Sequence, residues 1–151
     1  MYPRLNLPLS EIPIRGEKVR CRIRKKDLLI TPEEWVRQQF IYYLIDHLNY
    51  PAGRMTAEQV VVYNKMRKRC DIALYDDYGK PLVIVECKAP HIKITQDTFL
   101  QIARYAHTLK APFLILTNGL EHFCAYVNAV DGSLQYLKEI PNYEGLIAII
   151  S

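Results

Sequence analysis

The 151-residue chain lacks a long apolar run. Pro112 to Leu116 and Leu82 to Val85 are among its most apolar stretches, far short of the roughly 20 residues that a membrane-spanning helix needs. Met1-Tyr2-Pro3-Arg4 opens no apolar signal segment. The expectation is a cytoplasmic protein with no membrane partner. The four cysteines, Cys21, Cys70, Cys87 and Cys124, stand singly with no CxxC pair, which excludes the usual zinc and disulfide-framework spacings and leaves reduced core residues. No repeat, low-complexity stretch or Gly/Ser-rich linker divides the chain. A Gly-x-x-x-x-Gly-Lys loop is also missing, so no phosphate-binding loop of that kind is expected.

What is present suffices for one core, since half of the residues are hydrophobic and 24% are charged. The formal charge of +4 permits an anionic partner without requiring one. Val19, Cys21 and Ile23 alternate with Arg20, Arg22 and Arg24, a period of two that predicts a strand with one basic face. Lys25-Lys26-Asp27 reads as a turn into a second short strand, Leu28 to Ile30. Residues 1–30 are expected to form an N-terminal strand extension of the same single domain as residues 31–151.

Thr31-Pro32-Glu33-Glu34 predicts a helix start, with Thr31 as cap, Pro32 at the first position and Glu34 as capping-box acid. The helix should run to about Leu48, with Val36, Phe40, Tyr43, Leu44 and His47 facing the core and Asn49-Tyr50-Pro51 ending it. Glu33 and Arg37 fall within the buried stripe. A strand, Glu58 to Tyr63, precedes the basic turn Lys65-Met66-Arg67-Lys68-Arg69. Asp71 to Tyr75 and Pro81 to Lys88 then read as a β-hairpin around Asp76-Asp77-Tyr78-Gly79. A helix from Gln96 to Leu109 capped by Thr95, a buried strand Phe113 to Thr117 stopped by Asn118-Gly119, and closing strands Phe123 to Val127 and Gln135 to Leu137 complete the pattern. The fold class is α/β, a central mixed β-sheet flanked by helices.

The hairpin carries the chemistry. If its loop is symmetric about Tyr78 and Gly79, then Asp77 faces Lys80, Ala73 faces Ile84 and Asp71 faces Glu86. Glu86 and Lys88 share a face with Asp71, while Cys87 points away. Two like charges side by side in an apolar hairpin are destabilising unless something compensates them. A magnesium ion would do so, because it prefers oxygen ligands and keeps positions for water and phosphate. Lys88 beside the metal could hold the attacking water or the charge developing on a phosphate, so the chemistry implied is metal-assisted hydrolysis.

Asp71 followed by Glu86-Cys87-Lys88 resembles the PD-(D/E)XK nuclease core, without the proline of the nominal motif, since Cys70 precedes Asp71. Gln101-Ile102-Ala103-Arg104-Tyr105 resembles the Gln-x-x-x-Tyr element of the N-terminal nuclease domain of type I restriction enzyme R subunits. Thr31 to Gln38, Lys68 to Asp71, Glu86 to Pro90 and Leu116-Thr117-Asn118-Gly119 look like the same domain, over roughly residues 28 to 127. The resemblance implies a restriction-endonuclease-like core and a magnesium-dependent DNA endonuclease, with manganese as a substitute metal. It implies that Asp71 and Glu86 bind metal, that Lys88, Gln101 and Tyr105 serve the site, and that Glu33 or Glu34 is an additional acid. Gln101 and Tyr105, four apart, lie on one helix face and can reach together toward the strand bearing Lys88 or toward DNA.

Lys65, Arg67, Lys68 and Arg69 are the expected DNA-backbone contacts, because they lead directly into Asp71. Other subunits of a restriction complex are expected partners, and cleavage of both strands with one active site per chain would favour a homodimer or paired complexes. Rival readings are a catalytically silent nucleic-acid-binding module, an assembly module docking through a sheet edge or apolar closing strands such as Gly145 to Ile150, and an RNA nuclease using the same metal chemistry.

Overall fold

The computed structural model describes residues 2–151. Its elements in chain order are β1 (Ile14–Arg15), β2 (Lys18–Cys21), β3 (Lys26–Leu29), α1 (Pro32–Asp46), β4 (Met55–Tyr63), β5 (Met66–Tyr75), β6 (Pro81–Cys87), α2 (Gln96–Thr108), β7 (Phe113–Thr117), β8 (His122–Val127), β9 (Leu134–Leu137) and α3 (Tyr143–Ile150). β1, β2 and β3 form a small antiparallel sheet, and β4 to β9 form a six-stranded sheet in sequential order. All neighbours in the larger sheet are antiparallel except β6 and β7, which run parallel and are joined through α2. The mixed sheet of the sequence reading is thus observed. Among the described residues no helix is long and apolar enough to cross a membrane.

Each face of the large sheet is covered. Val36, Phe40 and Leu44 of α1 pack on Ile72, Leu74, Val83, Val85 and Ile115, together with Leu5, Cys21 and Leu146 of α3. Phe99, Ile102 and Ala106 of α2 pack on Ala73, Ile84, Leu114 and Leu116 from the opposite side. Alternation sorts the strands between these layers, and β6 and β7 are apolar on both faces as a covered sheet centre requires. All four cysteines are buried and free.

Several sequence expectations need correction. The N-terminal turn is Arg22 to Lys25, with Lys25 at φ 54, so the second strand starts at Lys26. His47 is exposed, because α1 ends there and Asn49 turns the chain at φ 60. β4 begins at Met55 rather than Glu58. The run Gly145 to Ile150 is part of a helix, capped by the Asn142 side chain, which accepts from the Gly145 amide. The β5–β6 turn is asymmetric: Tyr75 pairs with Pro81 after a register shift at Leu74/Tyr75, and the Asp76 amide donates to Lys80 O. Because that shift lies on the turn side, the strand body keeps Ile72↔Val85, Ala73↔Ile84 and Leu74↔Val83.

A second irregularity was not foreseen. Ala57 and Val61 are an even number of residues apart and should share a face, yet Ala57 packs with α1 and Val61 with α2. Ile72 and Cys70 are divided in the same way on β5. Between them lie Asp71 and Glu58, the latter at φ 57, a conformation that L residues rarely adopt. Both strands roll over at this point. Beyond it the hairpin leaves β6 behind and continues as a two-stranded ribbon from Val60↔Arg69 to Tyr63↔Met66.

Helix α1 presents the polar residues discussed below, and its start depends on Thr31, whose hydroxyl accepts from the Glu34 amide at 3.1 Å. Thr31→Ala should cost about 1 kcal/mol and lower the melting temperature by about 2–4 °C, read by thermal unfolding. Thr31→Ser should restore most of it.

Candidate functional site

Asp71 lies where the hairpin rolls over, on the α1 side of the β5–β6 ladder's end. Its Oδ2 accepts from the Cys87 amide at 2.7 Å, a bond from β6 main chain that anchors the carboxylate beside the Glu86-Cys87-Lys88 segment. Its Oδ1 accepts from Arg37 Nη2 at 3.0 Å. Burial alone would raise the Asp71 pKa, but hydrogen bonds from Glu86 and the Cys87 amide and the Arg37 charge bring it below the ordinary value.

Glu86 behaves oppositely. Burial, the Asp71 charge and the hydrogen bond to Asp71 push its pKa up to about 8, against a smaller pull from Lys68 and Lys88. With both groups ionised, Glu86 Oε1 is buried without a donor. The Asp71 charge beside it is thus one of the two main reasons Glu86 resists ionisation. A divalent cation would offset the repulsion between the two carboxylates and meet the unpartnered Glu86 oxygen, so the donor set fits a hard metal. No cluster of three or more His, Cys, Asp or Glu side chains arranged for a metal occurs among the described residues, but magnesium does not need one, because water and phosphate oxygens commonly complete its shell.

Lys88 follows the last residue of β6, and its amide donates to Thr117 O at 2.8 Å. Thr117 and Asn118 organise the turn beside it. Asn118 Oδ1 accepts from the Leu120 and Glu121 amides at 2.9 and 2.8 Å, and its Nδ2 donates to Ile92 O at 2.9 Å, tying down the segment after Lys88. The Leu116-Thr117-Asn118-Gly119 block thus has a structural task at the mouth of the site.

The two candidate helix acids separate. Glu33 is half-exposed, and Arg37 Nη2 lies 3.6 Å from it. Burial and the Asp71 charge raise its pKa while Arg37 and Lys88 lower it, which places Glu33 within electrostatic reach of the site. Glu34 is buried and is not the capping-box acid: its Oε1 accepts from Arg37 Nη1 at 2.7 Å and its Oε2 from Gln38 Nε2 at 2.9 Å. The inward pull of these partners outcompetes a return to the helix start.

Gln101 and Tyr105 are exposed on α2. Tyr105 does not meet Lys88; its ring receives the Lys68 ammonium at 4.9 Å. The expected DNA contacts are divided by the ribbon's alternation. Lys68, half-buried, faces α2, while Arg67 and Arg69 pair with Val62 and Val60 on the other side, and Lys65 sits in the exposed turn. Arg69 Nη2 also donates to Glu58 Oε2 at 3.0 Å.

Two residues were not read from the sequence as parts of the site. Arg37 is 6% exposed, and its Nη2 lies 2.6 Å from Glu58 Oε1 in addition to its contacts with Glu33, Glu34 and Asp71. Burial opposes its charge, but Asp71, Glu34 and Glu58 outweigh that and push its pKa up, so it is always a cation. Arg37 could have been noticed as a charge inside the buried stripe. Glu58 could not, because its role depends on its left-handed backbone and on lying across the β4–β5 ladder from Asp71.

The family model for the type I restriction enzyme R protein N terminus (HSDR_N) matches residues 32–141. The chain belongs to this family. The HSDR_N match takes in α1, Asp71, Glu86, Lys88, Gln101 and Tyr105, and leaves out the small N-terminal sheet and α3. A solved structure described as the fragment of an HsdR subunit of a type I restriction enzyme from Vibrio vulnificus is similar over 73% of this chain and 23% of that one, with 21% identity and a TM-score of 0.49. The chain therefore spans less than a quarter of that relative. No curated protein matches.

The raised Glu86 pKa makes a testable statement about stability. Glu86 has a folded pKa of about 8 against an unfolded value near 4.5, so its protonated form stabilises the fold fully below the unfolded value, and that stability is lost as pH rises through the folded one. Asp71, with its lowered pKa, acts only at lower pH. In EDTA above pH 8, Glu86→Gln should melt at least about 3 °C above wild type, the shift that roughly 1 kcal/mol gives in a chain of this size. The advantage should shrink toward pH 5 in thermal scans.

Proposed function

We propose that this chain is a nuclease core of PD-(D/E)XK type that hydrolyses DNA phosphodiester bonds with magnesium, or manganese in its place, held by Asp71 and Glu86. The observation that carries this reading is the half-buried Asp71–Glu86 pair, in which the buried Glu86 Oε1 lacks a donor, at the strand end that also bears Lys88. The metal, when bound, would polarise a phosphoryl oxygen and lower the pKa of a bound water. The residues of the chain do the rest. The Cys87 amide orients Asp71, and the Lys88 main chain, held by Thr117 O, sets the root of an ammonium that can stabilise charge on the scissile phosphate.

Glu33, half-exposed beside Arg37, is the better candidate for an additional acid, since Glu34 is fully engaged. Lys65 and Arg67 on the ribbon neutralise backbone phosphates, and Arg69 does so from its bond to Glu58. Tyr105 steadies Lys68 near Glu86, and Gln101 extends the same helix face. The family's description supports a restriction complex as the setting, with DNA and other subunits as partners and a second copy for cleavage of both strands.

One observation favours a second reading, a catalytically silent DNA-binding or assembly module: Arg37 already supplies Asp71 with a cation. Supercoiled plasmid distinguishes the two. Nicking in magnesium or manganese, absent in EDTA and reduced at least about 100-fold in folded Asp71→Ala, Glu86→Ala and Lys88→Ala, is expected for the nuclease. Intact plasmid in both metals, with DNA still retarded on a gel, would establish the second reading.

A further inference from the structure

Arg37 stands where three elements bring their acids together: Glu33 and Glu34 from α1, Glu58 from β4 and Asp71 from β5. We propose that Arg37 is a positioning residue that holds Asp71 in the metal-free protein, and that its charge, counterpoised by Glu58, sets how tightly the Asp71–Glu86 pair binds a divalent cation. This rests on the metal reading above.

The stereochemistry lets both cations use Asp71. One oxygen accepts from Arg37 and the other from the Cys87 amide, and each carboxylate oxygen has a further lone pair. Arg37 therefore does not block the carboxylate. It opposes the metal electrostatically, because two positive charges a few ångströms apart in a buried site repel strongly.

Glu58 offsets that repulsion. The same Nη2 atom that bonds Asp71 at 3.0 Å lies closer to Glu58, at 2.6 Å. Glu58 holds that position from φ 57, a strained conformation for a residue with a side chain. Arg24 shares the Glu34 Oε1 atom at 3.5 Å and Arg69 takes the other Glu58 oxygen at 3.0 Å, while Asp71 takes its guanidinium from Arg37. Arg37 is the one guanidinium of the three that contacts all four carboxylates. On the Glu86 side the cations are Lys68 and Lys88, which only partly offset burial and the Asp71 charge, so a divalent ion can enter there without expelling the guanidinium.

The two residues then have opposite effects on metal affinity. Removing the Arg37 charge leaves acids unpaired, which destabilises the metal-free fold and strengthens the attraction for a cation. Removing the Glu58 charge lets Arg37 bear fully on Asp71 and weakens that attraction.

The test is a manganese titration, followed by calorimetry and by the electron paramagnetic resonance of free Mn2+, with melting curves in EDTA and in Mn2+. Wild type, Arg37→Met, Glu58→Gln and Asp71→Asn are compared. Arg37→Met should bind Mn2+ at least about tenfold more tightly than wild type, melt lower in EDTA and recover in Mn2+. Glu58→Gln should bind about threefold more weakly or worse. A merely structural Arg37 would lower the melting temperature without changing Mn2+ affinity, and unchanged or weaker binding by Arg37→Met overturns the proposal. Should that variant not fold in EDTA, unchanged or tighter binding by Glu58→Gln overturns it. If wild type binds Mn2+ through Asp71 and the variants do not shift it, the inference alone fails. If no variant binds at all, the metal reading falls and takes this one with it.

Discussion

A carboxylate removed from water must be compensated, and two placed side by side must be compensated twice. The β5–β6 ladder imposes that condition, because its register, kept from Leu74↔Val83 to Ile72↔Val85, carries Asp71 and Glu86 to adjoining positions in a covered sheet. The surroundings answer it. The Cys87 amide and Arg37 each take one oxygen of Asp71, and Glu86 is pushed toward its neutral form by burial and the Asp71 charge. Arg37 is itself a buried charge, so it brings its own acids from α1 and β4. Helix α1 consequently buries Glu34, Arg37 and Gln38 beside Val36 and Phe40, a composition that apolar packing alone would not select. The charge group binds α1 to the sheet end with a specific orientation, in the way that buried polar networks specify one packing among several.

Much of this was legible in the chain itself. Thr31-Pro32 marks the start of α1, and the apolar runs of β6 and β7 mark a sheet covered on both sides. Alternation about the β5–β6 turn gave the ladder to Ile72↔Val85, but not the roll-over that turns Asp71 to the α1 side, where Cys87 rather than Glu86 packs. The turn proved asymmetric, yet the strand body kept its pairing because the shift at Leu74/Tyr75 absorbed the extra residue before it could reach Asp71. What was not legible depends on conformations that residue type disfavours. A glutamate at φ 57 has no signature in a strand-like stretch such as Met55 to Tyr63. Nor does a capping-box pattern reveal that its acid has better partners inside the fold: Thr31 and Glu34 fit the pattern, and Glu34 turns inward to Arg37 and Gln38.

The roll-over at Glu58 also shapes the surface that would meet a nucleic acid. A flat ribbon would carry Lys68 on one uninterrupted face with the strand residues below it. Here Val61 turns into the α2 layer and takes its cross-strand partner Lys68 with it, onto the Tyr105 ring. Arg67 and Arg69 stay outside beside the exposed Val62 and Val60. The expected basic turn is strand β5 from Met66 onward, with only Lys65 in the turn, and its charges form two surfaces: one facing inward over α2 toward Glu86, the other facing outward from the end of the sheet. A continuous phosphate backbone running past the sheet end could engage both, since the ribbon projects beyond β6 where Lys88 begins.

The parts of the site differ in how firmly they are held, and the difference follows from their backbone. Lys88 extends β6 by one residue beyond the parallel pair Cys87↔Thr117, with its amide bonded to Thr117 O. Thr117 in turn receives the Gly119 amide on its hydroxyl, and Asn118 fastens the chain on both sides of the turn. Asp71 is anchored to the same strand end through the Cys87 amide. These bonds belong to the middle of the sheet, so they persist whatever occupies the site. Arg37 and Glu58 are joined to the site by side chains alone, and Glu58 lies on an edge strand. A site built this way can change its charge balance while its ligands stay in place, because every movable charge is attached to a neighbouring element and every proposed ligand to the central one or to its amide.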